Sequence, residues 1–343
     1  MKTHDISNRQ REILLKTLEL YISTGVPVGS QALSETVEAS SSTIRSEFVN
    51  LESYDLLTHP HTSSGRVPTD AGYRYYVDAL ISGGDQEDAS RFEAPAGYSD
   101  VDGLLRGVSE GMSDVTRLLA VVAGPAALGD SVTRIDYLPL GEGMLLLVAS
   151  MASGVSSSAR VTLPAYVEEE ELREIFHSLN AWIEGRPLGI DMELAMAARK
   201  VFSDHNPRVV GAVLEAVEVL GRSTERGVFI QGVSALLSRL DDLEPTSLAA
   251  IIEVFERRRW LLRLLGDALE RSVISADVVV AIGAESGFYN LSGTSIVTAA
   301  YNRHEQPYGV VSLIGPKRMD YDAAISTARS AAEALTHCLN ARF

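Results

Sequence analysis

Over its first eighty residues the chain turns once from helical to extended periodicity, and that order leaves few folds open. Ser7-Asn8-Arg9-Gln10 fits a capping box, with Ser7 as N-cap and Gln10 three residues on. Ile13, Leu14, Leu18, Tyr21 and Ile22 then recur at helical spacing until Thr24-Gly25-Val26-Pro27 ends the run. Ser30 can cap a second, short helix carrying Ala32 and Leu33. A third helix begins near Ser40 or Ser41, with Ile44, Phe48 and Leu51 on one face. Leu56-Leu57-Thr58 and Arg66-Val67 are strand-compatible and flank turn chemistry from His59 to Gly65. Pro68-Thr69-Asp70 starts a further helix with Tyr73, Tyr76, Val77 and Leu80 as its apolar stripe. Three helices followed by a β-hairpin predict a winged helix-turn-helix.

The rest of the chain reads as mixed α and β, so the expected class is α+β multidomain. Its 343 residues suffice for two or three domains. Residues 82–100, with Gly83-Gly84 and Ala94-Pro95-Ala96-Gly97, have little apolar periodicity and predict a linker. A helix is expected over about 101–122, strands near 132–138, 144–151 and 158–163, and a helix over 168–183. Helical patterns continue to about residue 220. A short strand at 228–230, helix over 248–269, strands near 278–282, 294–301 and 308–313, and a last helix over 320–339 complete the pattern. The single cysteine, Cys338, excludes an internal disulfide and a cysteine-rich zinc site. No apolar run is long enough to cross a bilayer, and Met1-Lys2-Thr3-His4-Asp5 opens no signal sequence, so a cytoplasmic location and no membrane partner are expected.

The third helix carries the strongest chemical signal. With Ile44, Phe48 and Leu51 turned inward, Ser42, Arg45, Ser46 and Val49 face outward. A small, hydroxyl-rich first turn can approach a major groove closely, and Arg45 can make a bidentate guanine contact. A serine-rich turn can equally be no more than a cap. The hairpin favours the DNA reading: His61, Thr62, Ser63, Ser64, Gly65 and Arg66 supply small residues for close approach and a cation for phosphate or the minor groove. Charge opposes it. The whole chain carries −16, and residues 1–80 hold seven Lys or Arg against ten Asp or Glu. Non-specific affinity for DNA is therefore expected to be weak, with Arg45, Arg66 and Arg74 gathered on one face.

Two long stretches bear a family resemblance. Ser40-Ser41-Ser42-Thr43-Ile44-Arg45, Leu51-Glu52 and the run from His59 through Arg66-Val67-Pro68-Thr69-Asp70-Ala71-Gly72-Tyr73 to Asp78 resemble the N-terminal signature of the HrcA family, bacterial heat-inducible transcription repressors. Ile282-Gly283-Ala284-Glu285, Tyr301, Gly309 and Ile314-Gly315-Pro316-Lys317-Arg318-Met319-Asp320-Tyr321 are similar to its C-terminal motifs. The resemblance runs in order along nearly the whole chain. It departs at Ser286, where the family usually has asparagine, and over Ser53 to Leu56, where a Gly-Tyr pair is usual.

The resemblance implies a winged-helix DNA-binding domain at 1–81, a linker at 82–100, and a GAF-like domain in two parts, 101–164 and 226–343. A dimerising domain, 165–225, is inserted between those parts. It implies a homodimer on an inverted-repeat DNA operator, CIRCE, upstream of chaperone operons, with the GroE chaperonin keeping the repressor active. On the matching positions, Ser41, Ser42, Thr43, Arg45 and Ser46 form the recognition helix, and His61, Thr62, Ser63, Ser64, Gly65 and Arg66 the wing. An alternative keeps the winged helix and makes the GAF-like domain a small-molecule sensor.

Nothing in the sequence predicts an enzyme, a cofactor or a metal. Only His59 and His61 of the seven histidines are close together, with no further ligands in view. Glu168 to Glu171 has the character of a helix start, where acidic groups complement the dipole. Glu256-Arg257-Arg258-Arg259-Trp260 is the densest basic cluster and suits the wet face of a helix. Gly315-Pro316-Lys317-Arg318 admits two readings: an anion or regulatory contact, or a Gly-Pro turn before an Asp320 cap.

Overall fold

The architecture is that of a computed structural model. It describes residues 6–60, 65–83, 92, 97–125, 131–141, 143–152, 154, 156–164, 167–186, 188, 200–224, 227–234, 265–267, 269, 271–272, 277–287 and 292–342. The expected wing tip at 61–64, most of the expected linker and most of the helix expected at 248–269, with its basic cluster, lie outside these residues; 265–267 and 269 of that helix are described and are helical. The chain divides into two compact units, 1–121 with 230–305 and 310–343, and 122–229 with 306–309.

The first unit opens with α1 (Asn8–Thr24), α2 (Ser30–Leu33) and α3 (Ser41–Ser53). The Ser7–Gln10 capping box forms as expected: Gln10 N–H donates to Ser7 Oγ at 3.2 Å and Ser7 N–H to Gln10 Oε1 at 2.9 Å. Gly25, at φ 71°, ends α1, and Ser40 caps α3. Ser30 is the first helical residue of α2; Gly29 occupies the cap position, which leaves the Ser30 hydroxyl available to α3. Two short strands, β1 (Leu57–Thr58) and β2 (Val67–Pro68), pair antiparallel, and Val28 bridges to Arg66 beside them. α4 (Asp70–Ser82) follows, capped by Thr69. Ile13, Leu14, Leu18, Leu33, Ile44, Phe48, Leu51 and Val77 are all buried, so the inward faces are those the periodicity predicted.

The next segment departs from expectation. The helix predicted over 101–122 stops early: α5 (Val101–Thr116) ends at Arg117, which sits in the left-handed region at φ 56°. Leu119–Ala123 is strand β3, with all five residues buried. A strand buried on both faces has no alternation, so its apolar run continued the helical pattern without a visible break. Phe92, within the expected linker, is buried; its N–H donates to Ser330 Oγ at 3.2 Å.

The remaining elements of the five-stranded sheet are β7 (Val228–Gln231), β8 (Val279–Ile282), β9 (Thr294–Arg303) and β10 (Gln306–Pro316), in the order β7-β3-β10-β9-β8. A 3₁₀ turn, Gly283–Ser286, follows β8. β10 occupies the middle and is buried from Tyr308 onward, as a central strand must be. The last helix, α8 (Tyr321–Arg342), packs on β9 and α5, and the Asp320 side chain accepts from Ala323 N–H at 3.0 Å.

The second unit contains an antiparallel sheet of β4 (Val132–Gly141), β5 (Met144–Met151) and β6 (Ser156–Thr162), in that order. One face packs against α6 (Glu169–Ile183) and α7 (Pro207–Thr224). Leu147, Ala149, Ile175, Leu179, Val213 and Val217 share one core. Asn180 extends the edge strand's hydrogen bonding: it accepts from Ile135 N–H at 2.7 Å and donates to Ile135 O at 2.9 Å. Among the described residues no helix is long and apolar enough to cross a membrane.

Candidate nucleic-acid interface

The exposed face of α3 is built by caps and held by α2. Ser40 Oγ accepts from Thr43 N–H at 3.1 Å and lies 2.8 Å from both Ser42 Oγ and Thr43 Oγ1. The first turn of α3 is thus a ring of hydroxyls, with Ser40 Oγ satisfying one of the four amide N–H groups that lack an intrahelical partner. One step inward, Ser30 Oγ and Ser41 Oγ are 2.8 Å apart, and Arg45 Nε donates to Ser30 Oγ at 3.1 Å. That last bond uses Nε and leaves the two terminal nitrogens without a partner among the described residues. Ser42, Arg45 and Ser46 are exposed, Ser41 and Thr43 partly so. Val49, 60% exposed, continues the same face one turn further. Among the described residues no carboxylate pairs with Arg45.

Behind this face the helix is tied down. Gln10 and Asn50 both donate to Glu47 Oε2 at 2.9 Å, joining α1 to α3. The bonds from Asn50 and then Gln10 hold the Glu47 carboxyl below the usual carboxylate range.

Of the predicted wing, Gly65 and Arg66 are described. Gly65 lies against the chain at Pro27 and Val28; a Cβ there would stand 2.5 Å from Pro27 O. Arg66 and Val28 exchange backbone bonds of 2.8 and 2.9 Å. The Arg66 guanidinium turns toward α3. Its Nε is 3.0 Å from Glu52 Oε1, and it lies 5.8 Å from the centre of the Phe48 ring. Glu52 also holds His59 Nδ1 at 2.6 Å. Arg66 therefore fastens the base of the hairpin to the end of α3, and any phosphate would have to share it with Glu52.

The expected clustering of Arg45, Arg66 and Arg74 on one face does not form. Arg74 points toward the C-terminal sheet, bonding Glu285 and donating to Val280 O at 2.6 Å. Burial, the largest single effect, works against its charge, yet the Glu285 and Asp78 carboxylates together outweigh it and raise the guanidinium's pKa. Sequence spacing had no means of showing this partner, 211 residues away. The same is true of Ser30, whose anchoring of Arg45 depends on how α2 and α3 pack. Among the described residues no group of three or more His, Cys, Asp or Glu could hold a metal.

Residues 102–325 match the family model described as HrcA protein C terminal domain. A heat-inducible transcription repressor HrcA from Xanthomonas campestris pv. campestris is 32% identical over 333 residues, covering 95% of this chain and 94% of its own. One from Gloeobacter violaceus is 31% identical over 343 residues, covering 98% of this chain and 94% of its own. A crystal structure described only as that of a hypothetical protein superposes with a TM-score of 0.63 at 22% identity, covering 99% of this chain and all of that one, which is a likeness of fold.

Proposed function

The chain belongs to the HrcA family of heat-inducible transcription repressors, and from that membership we propose that it binds an inverted-repeat operator, CIRCE, as a homodimer. In this reading residues 1–81 are a winged helix. Ser41, Ser42, Thr43, Arg45 and Ser46 enter the major groove, and the wing from His61 to Arg66 meets the backbone or minor groove beside it. The observation that carries the reading is the Arg45 guanidinium, anchored by Ser30 at 3.1 Å and free of carboxylates among the described residues, in the middle of an exposed hydroxyl face. A donor fork held from behind loses little freedom on meeting a guanine.

An inverted repeat calls for two such faces related by a dyad. The remaining sequence supplies a GAF-like domain in two parts and an inserted dimerising domain. The shared core of β4 to β6, α6 and α7 supports a dimerising unit that includes the strands from 132 as well as residues 165–225. Leu138 and Leu140, 57% and 46% exposed at the tip of β4, suit the partner surface. The sensor alternative needs a pocket of several hundred Å³. Among the described residues, one cavity, lined by Val279, Ala281, Ile296 and Thr298, measures about 10 Å³ and does not supply such a pocket.

The deciding experiment is a gel-shift titration on an inverted-repeat operator and a scrambled duplex at physiological salt. Wild-type protein should prefer the operator, and Arg45→Ala should lose roughly 5- to 150-fold per half-site and relax base preference. Equal binding to both duplexes overturns the reading. The GroE coupling is tested by reconstitution: chaperonin should raise the fraction of active repressor, and an unchanged fraction removes that part.

A further inference from the structure

The segment after β10 touches the N-terminal module at points more than two hundred residues away in sequence. Lys317 Nζ lies 2.6 Å from Asp70 Oδ1, at the first residue of α4. Arg318 Nη1 donates to Ile22 O at 3.0 Å, satisfying one of the orphan carbonyls at the end of α1. Arg74, in the next turn of α4, bonds Glu285 and Val280 O. Between these polar contacts the Tyr73 and Tyr76 rings meet Tyr321, with centroids 5.9 and 6.5 Å apart. Tyr321 is itself moored to the sheet, with its hydroxyl 2.7 Å from Ser295 Oγ and donating to Lys317 O at 2.9 Å.

Two glycines make room for this fastening, one on each side. Gly25 has φ 71°, and a Cβ there would come within 2.9 Å of Arg318 Cζ. Gly283 has φ 54°, and its Cβ would come within 2.6 Å of Asp70 Oδ2. Both backbones adopt a conformation that favours glycine, and both do so where a side chain of the opposite part arrives. Gly315 and Pro316 end β10 rather than making the expected turn, the expected Asp320 cap of α8 forms, and both cations are engaged by the module rather than left for an anion.

We propose that Lys317 and Arg318, with Asp70, Arg74 and Glu285, form a clasp that fixes the orientation of the 8–82 module on the C-terminal sheet. Lys317 and Arg318 are positioning residues for operator binding. This rests on the operator reading for its consequence, though the clasp can be tested without DNA. A module tied only by a Gly- and Pro-containing linker would swivel, and a dimer of swivelling heads would accept half-sites at many spacings. A clasped pair accepts one, because each added base pair turns the second half-site by roughly 35°.

The test uses the full chain with Lys317→Ala/Arg318→Ala. In a Cys338→Ser background, spin labels at Glu12→Cys and Glu333→Cys, diluted with unlabelled protein, report the distance between α1 and α8. The parent should give one narrow distribution and the double variant a broad one. A broad parent, or a variant as narrow as the parent, overturns the clasp whatever the protein does with DNA. Operators with spacers changed by one or two base pairs supply the second readout. The parent should lose about tenfold or more per change, while the variant loses less than about threefold and keeps its affinity for an isolated half-site. Lys317→Arg should retain the parent's profile. A variant whose spacing profile parallels the parent's also overturns the positioning role. Failure of the parent to prefer the operator at all would instead sink the operator reading and leave the spin-label result to decide the clasp.

Discussion

Arg66 shows how far a residue's chemistry depends on its neighbours. Its type and place in the hairpin suit phosphate, yet its side chain is about four-fifths buried, with the guanidinium against Glu52 and the Phe48 ring. Arg66→Ala should therefore destabilise the N-terminal module by about 1–2 kcal/mol, mostly through the partner left behind on α3. Chemical denaturation of the variant measures this; unchanged stability with weakened operator binding would return Arg66 to the phosphate role. Arg45 is the opposite case, exposed and anchored, so its loss should leave stability nearly untouched. The caps at Ser7, Ser40 and Thr69 could be read from sequence because their partners lie three residues away. Ser30, Glu52 and Glu285 could not, because packing rather than spacing selects them.

At the scale of elements, periodicity located α1, α3, α4 and β4 to β6 closely, since each has one wet face. It failed at β3, where Leu119–Ala123 is buried throughout and nothing polar marks the change from helix. The packing of α4 on the start of α8 carries its own pH signature. Burial first, then nearby acidic groups, push the Tyr76 hydroxyl up to about 12, and burial raises Tyr73 and Tyr321 further. A pKa raised on folding favours the native state fully below the ordinary value of 10, and that contribution fades as pH climbs through the folded value. Thermal melts should be flat in this respect up to about pH 10 and fall above it. Tyr76→Phe should fall less steeply; a parallel decline would show that these hydroxyls do not govern alkaline unfolding.

For the whole molecule, charge sets the terms of DNA binding. A chain of net charge −16 whose described module holds Arg66 and Arg74 in ion pairs can neutralise few phosphates. The slope of log affinity against log salt should be shallower than about −5 for the dimer. Titrations between low and physiological salt measure it, and a slope near −10 would require phosphate contacts beyond those of α3 and the wing.

The clasp also sets an order of events during synthesis. The module is complete once α4 ends at Ser82, yet its fasteners are Lys317 and Arg318, 235 and 236 residues further on. At translation speeds of about 5–20 residues per second the ribosome needs roughly ten to fifty seconds to deliver them. Through that interval the nascent chain carries its N-terminal module without those two fasteners, so the proposed clasp can close only on a nearly finished polypeptide.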